Sequence, residues 1–147
     1  MNDLKNELNK LDKLSEGTKA LWGIMTPQHM IEHLVLTFRI SSKKMEVKCI
    51  TPPERIPLMK KILMSERPLP KGFINPVMGE GLVDLMFPNL NTAIEELKKE
   101  MDDYISFFDE NPEAEILNPT FGSLNKIEWA QFHQKHIKHH FQQFGIY

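Results

Sequence analysis

Regularly spaced apolar residues predict a helix near the start of the chain. Four leucines between positions 4 and 14 recur at intervals of three and four residues, which places them on one side of a helix. The pattern predicts a first helix over residues 3–20, and Gly17 and Gly23 weaken its end.

A second predicted helix begins at Thr26. Thr is a good N-cap, and Pro27 occupies the first turn, where a proline sacrifices no hydrogen bond. Apolar residues cover much of the circumference of this helix, so we expect it to be buried. It is predicted to end at Ser41 or Ser42.

Two more long helices are predicted from capping patterns. A third starts near Thr92, which fits a capping box with Glu95, and it ends at the Asn-Pro pair of residues 111–112. A fourth starts near Asn125 and runs to Gly145, a natural stop.

Residues 43–90 form a long connection between the second and third long helices. Seven of the ten prolines lie between positions 52 and 88. A short helix over residues 54–65 is predicted, with Pro57 in its first turn, whereas residues 66–89 have no steady period. No segment alternates as a strand does. The pattern therefore predicts an all-α, four-helix bundle with a long crossover, whose residues 66–90 lie near the functional site or are mobile.

Composition narrows the possible classes of protein. The chain has 147 residues and a mass of 17.2 kDa, which is typical of a single domain, here residues 1–147. Its net charge of −2 argues against a nucleic-acid partner. No apolar run is long enough for a membrane-spanning helix. One cysteine excludes an internal disulfide framework and a Cys-rich zinc site. With no signal-peptide pattern at the start, we expect a cytoplasmic protein.

Histidines are the unusual feature of the sequence. There are six, and four of them lie within positions 133–140. His136 and His140 are four residues apart, so they share one face of the fourth helix and can bind one metal ion. His33 lies on the apolar side of the second helix. Together the three predict a three-nitrogen site with an open position, which is typical of a catalytic metal ion.

The remaining histidines and two glutamates leave alternatives open. His29, His133 and His139 could replace or support a ligand, with His139 expected at the flank of the site. A buried His33 is also compatible with ordinary core packing, and the pair in the fourth helix with a solvated polar face. Glu32 and Glu128 could each act as a general base near a metal ion, but Glu32 is expected instead to face solvent and Glu128 to cap the fourth helix.

Two segments carry a family resemblance. The sequence MTPQHMIEHL over residues 25–34, followed by NPTFGSLNKIEWAQFHQKHIKHHFQQFGI over residues 118–146, resembles the DinB-like four-helix-bundle superfamily. Within it, the chain resembles a branch known only as a domain of unknown function. The most specific marks are His-Leu at 33–34, Phe-Gly at 121–122, Glu-Trp at 128–129 and His-x-x-His-His-x-x-Gln at 136–143.

The resemblance implies a fold and a site. Members have a long crossover between the second and third long helices and hold one divalent ion, zinc or nickel, through three histidines. These correspond to His33, His136 and His140 of this chain. Characterised relatives include transferases and isomerases that use a low-molecular-weight thiol as cofactor, and such relatives often form homodimers. The extra histidines are a departure that leaves the ligand set open.

Three functions follow from these observations. The first is a metal-dependent enzyme acting on a small-molecule substrate or thiol, either as a thiol-dependent S-transferase or as a hydrolase. The second is a non-enzymatic helical bundle that binds a metal ion for structure or sensing. The third is a helical interaction module without a metal ion.

Overall fold

The computed structural model describes residues 2–70 and 82–147, and these residues form a mainly helical structure with one small sheet. The predicted crossover is therefore described only in part, since residues 71–81 lie outside this range. The helices are α1 (Asn2–Glu7), α2 (Pro27–Ser41), α3 (Ile56–Met64), α4 (Leu90–Glu110) and α5 (Lys126–Gln143). Two 3-10 segments (Leu8–Lys13 and Pro53–Arg55) and two strands, β1 (Ile116–Asn118) and β2 (Gly122–Leu124), complete the elements.

The N-cap residues and first-turn prolines of the sequence predicted helices α2, α3 and α5 correctly. The Thr26 side chain accepts a hydrogen bond from the backbone at the first turn of α2, and a proline lies in the first turn of α3. Asn125 and Glu128 form the predicted capping box of α5. At the other end, Gly145 has φ +68° and the backbone N–H of Ile146 donates to Phe141, which is the Schellman arrangement.

The first helix is much shorter than predicted. Helix α1 ends at Glu7, a 3-10 segment continues to Lys13, and Leu14 is extended. The Thr18 hydroxyl accepts a hydrogen bond from the backbone N–H of Ser15, and such local bonds compete with helical ones. Leu4, Leu11 and Leu14 nevertheless lie in the hydrophobic core, and Leu8 packs partly buried against it.

The start of α4 and the absence of strands were also predicted wrongly. Asn89 is the N-cap of α4, and its side-chain oxygen accepts from the backbone N–H of Thr92, which therefore lies inside the first turn. Strands β1 and β2 pair as an antiparallel hairpin. The Asn118 side chain accepts from two backbone N–H groups, those of Thr120 and Phe121, and so closes the turn. Strands of three residues are too short to show alternation.

Helix α2 lies against both α4 and α5, and α5 also contacts α3 and the hairpin. The indole N–H of Trp129 donates to the carbonyl of Ile116 at 3.0 Å, which joins α5 to β1. In the described part of the chain, none of the helices has the length and apolar character that crossing a membrane requires.

A buried carboxylate connects α2 to α4. Glu100 is 2% exposed and contacts Arg39 at 3.0 Å and Lys44 at 2.8 Å. Burial opposes ionisation of this carboxyl, but hydrogen bonds from Lys44 and Arg39 outweigh it and lower the pKa of Glu100. A charged Glu100 therefore holds two cations against α4.

We predict that Glu100→Ala lowers the free energy of unfolding by about 1–3 kcal/mol, because both cations lose their buried partner. The matched control is Glu95→Ala on the same helix, where a salt bridge is exposed and the change should be within about 0.5 kcal/mol. Urea unfolding at pH 7 measures both values. Equal effects of the two substitutions would contradict a special role for Glu100.

Candidate metal centre

Three buried histidines from two helices converge at one point. The Nε2 atom of His136 lies 2.8 Å from that of His33 and 3.1 Å from that of His140. Each of the three residues offers a ring nitrogen within 4.8 Å of the others. The predicted convergence of His33 with the α5 pair, across 103 residues of sequence, is thus confirmed.

The three rings are arranged almost symmetrically. The ring centroids of His33, His136 and His140 are 4.7 Å apart in every pair, and the ring planes meet at 72–84°. Neighbouring rings therefore stand edge to face rather than stacked, and the Nε2 atoms of His33 and His140 both lie close to that of His136. Such a tripod of imidazoles is suited to hold a single ion.

Hydrogen bonding among the three rings cannot satisfy them all. A neutral imidazole nitrogen has either one hydrogen or one lone pair in its plane. The Nε2 atom of His136 faces two other Nε2 atoms, so it can make only one good hydrogen bond with them. A cation at the centre would instead use the lone pairs of all three nitrogens. The donor set therefore fits a metal ion better than it fits a core of histidines.

The nitrogen separations also agree with metal coordination. Histidine nitrogens bind Zn²⁺ at about 2.0–2.1 Å, so two ligands of a tetrahedral ion lie roughly 3.3 Å apart. The observed 2.8 and 3.1 Å are a few tenths of an ångström shorter. Small rotations of the side chains would remove this difference.

Burial keeps these imidazoles in the form that metals bind. Desolvation, with a smaller contribution from the charge of His139, lowers the pKa of His33 to about 4. Desolvation also lowers the pKa values of His136 and His140 well below the usual range. All three rings are therefore neutral at pH 7, and metal ions require neutral imidazole.

The polar contacts of the two α5 histidines differ. The Nδ1 atom of His140 lies 2.8 Å from Oε1 of Gln143. The Nδ1 atom of His136 is buried and has no hydrogen-bond partner among the described residues. The His136 ring packs instead on Phe132, with 5.1 Å between the ring centroids.

The other histidines have different surroundings. His133 stacks on Phe38 with 3.9 Å between centroids, and its Nε2 is 2.8 Å from the hydroxyl of Ser41. It is a hydrogen-bonded core residue, and burial lowers its pKa well below the usual value. His139 lies beside the centre, with 4.9 Å between its ring centroid and that of His140. This position agrees with the predicted place of His139 at the flank of the site. The Nε2 atom of His29 contacts the carbonyl of Val83.

Glu32 does not face solvent as the sequence suggested. It is 3% exposed, and its carboxylate accepts hydrogen bonds from the backbone N–H groups of Met86, at 2.6 Å, and Phe87, at 3.2 Å. The crossover next to α4 is thereby attached to α2 directly before His33. The partners are main-chain groups more than fifty positions away, so no sequence spacing could identify this contact.

Comparison of the chain with protein-family models, curated proteins and solved structures finds no match. Geometry and side-chain chemistry therefore carry the interpretation of this centre.

The buried histidines predict that the metal-free protein loses stability in mild acid. Their pKa values are lowered in the folded state, so below about pH 6.5 the unfolded chain binds more protons. In EDTA, the free energy of unfolding should level off above about pH 7.5, where the histidines of the unfolded chain have also lost their protons. It should fall between pH 6.5 and 5 by up to about 1.4 kcal/mol per pH unit for each of these histidines. His33→Gln should reduce this slope, and a flat profile in urea unfolding would contradict the prediction.

The geometry predicts one divalent ion per chain. His140→Ala should abolish stoichiometric binding, because two imidazoles remain where three converge. His139→Ala is the matched control, since His139 is not among the converging residues, and it should retain most of the bound ion. Elemental analysis of tag-free protein after dialysis measures the ratio. Equal losses in the two variants would show that the facing of α5 has been assigned incorrectly.

Proposed function

We propose that this protein is a metal-dependent enzyme whose divalent ion, zinc or nickel, is held by His33, His136 and His140. The observation that carries the proposal is the convergence of three neutral ring nitrogens. Three is the number of protein ligands in many catalytic zinc sites, which keep a further position for water or substrate, whereas structural sites are closed by four.

Each part of the centre has a role in this proposal. The three histidines hold the ion as neutral donors, and their burial disfavours protonation that would release it. A bound ion supplies Lewis acidity that lowers the pKa of a thiol or water at its open position. The attachment of the crossover to α2 through Glu32 brings residues 86–87 next to the turn that carries His33.

The resemblance of the sequence to the DinB-like superfamily is the basis for the proposed reaction class. We propose a DinB-like four-helix bundle, in which residues 42–89 are the crossover between the second and third long helices. The packing of α2 against α4 and α5 supports this arrangement. On this proposal the reaction is the transfer of a low-molecular-weight thiol to a small-molecule substrate, or a hydrolysis, and the functional unit is a homodimer.

An exchangeable ligand position distinguishes the enzyme from a closed metal site. We predict that Co²⁺ added to the metal-free protein gives a visible absorption spectrum, and that a small thiol then changes this spectrum in a saturable way. The expected cause is entry of the thiol into the open position. Titration with several low-molecular-weight thiols, followed by a transferase assay with the best one, measures both properties.

Phe132→Leu is a suitable control, because it alters packing beside His136 without removing a ligand, and it should keep the thiol response. A Co²⁺ spectrum that no thiol or other small ligand changes would instead indicate a closed centre. That result would favour the non-enzymatic metal-binding bundle.

A further inference from the structure

One side chain contacts both the candidate centre and a loop outside it. Gln143 is 5% exposed, and its Oε1 lies 2.8 Å from Nδ1 of His140. Its Nε2 donates to the backbone carbonyl of Trp22 at 3.0 Å. The main chain follows the same route, since the N–H of Leu21 donates to the carbonyl of Gln143 at 2.7 Å. Residues 21–23, the loop before α2, thus form a support for Gln143.

These contacts assign the tautomer of His140. The carbonyl of Trp22 can only accept, so the amide nitrogen of Gln143 must face it. The amide oxygen then faces Nδ1 of His140, which must carry the hydrogen. In the neutral ring the lone pair therefore lies on Nε2, the atom directed toward His136. Gln143 selects the form of His140 that is able to bind an ion.

Gly23 makes room for this arrangement. It has φ +81°, and a Cβ atom at this position would lie 2.8 Å from Nε2 of Gln143. Cβ atoms in proteins do not come so close to a heavy atom to which they are not bonded. Any side chain at position 23 would therefore displace the amide. The loop can therefore approach the Gln143 amide this closely only because residue 23 has no side chain.

We propose that Gln143 is a positioning residue for the metal centre, and that residues 21–23 hold it in place. The proposal rests on the proposed function, since it assumes that His140 binds an ion. Partners that orient a metal-binding histidine through its second nitrogen typically contribute 10–100-fold to metal affinity. Gln143 would act through His140 and would not contact the ion.

The test compares two substitutions of Gln143, one that removes the hydrogen-bond acceptor for His140 and one that keeps it. Gln143→Met keeps the length of the side chain but removes the hydrogen-bond acceptor, and it should weaken Co²⁺ binding by about 10–100-fold. Gln143→Glu keeps an oxygen acceptor for Nδ1 of His140 but loses the donor to the Trp22 carbonyl, so it should weaken Co²⁺ binding less than Gln143→Met does. Competition with a chelator measures affinity, and circular dichroism of the metal-free variants checks that they are folded.

A second pair of variants tests the loop without altering Gln143. Gly23→Ala should weaken Co²⁺ binding and change its visible spectrum, because the new methyl group displaces the amide. Gly145→Ala is the matched control for backbone strain. Its φ is +68°, but its Cβ would meet only Leu21, at an ordinary contact distance of 3.7 Å. This control should keep the parent spectrum even if the protein becomes less stable.

The outcomes separate this proposal from the function on which it rests. Unaltered protein that binds no Co²⁺ would contradict the metal centre itself. Normal binding by the unaltered protein and loss in His140→Ala, together with an affinity of Gln143→Met close to that of the parent, would overturn only the positioning role. Equal losses in Gln143→Met and Gln143→Glu would overturn it as well, because the acceptor would then be irrelevant.

Discussion

The centre of this protein depends on the desolvation of three imidazole rings whose nitrogens face one another. Burial makes the charged form of each ring unfavourable, so the rings are neutral, and their mutual hydrogen bonds are too few. A protein core does not gain stability from such an arrangement. A cation at the centre would resolve the conflict, because it would accept three lone pairs at once without the need to protonate any ring.

The surrounding structure determines which histidine rings of α5 belong to the candidate metal centre. Helix α5 carries His133 one turn before His136, yet His133 is enclosed by aromatic rings and bonded to Ser41. One helix thus uses the same residue type for packing and for the candidate centre. The capping box at Asn125 and the Schellman end at Gly145 define both ends of α5. The contacts of His136 and His140 with His33 show that these two residues face α2.

The sequence predicted what depends on local spacing and missed what depends on distant partners. A few neighbouring residues are enough to predict the i, i+4 pair in α5, the inward place of His33 and the N-caps of α2 and α5. The end of helical structure before Ser15 and the Asn89 cap depend on competition between neighbouring hydrogen-bonding groups, which spacing alone does not resolve. The hairpin is too short to have a period, and the burial of Glu32 requires main-chain partners from the far end of the crossover.

The wide separation of the three histidines along the chain has a consequence during biosynthesis. His33 leaves the ribosome 103 residues before His136, which at about 5–20 residues per second corresponds to about 5–20 seconds. Throughout that interval the three-histidine cluster cannot form, because the chain does not yet contain His136 and His140. Assembly of the cluster is therefore a late event of synthesis, which requires α5 to pack against an α2 that was made long before it.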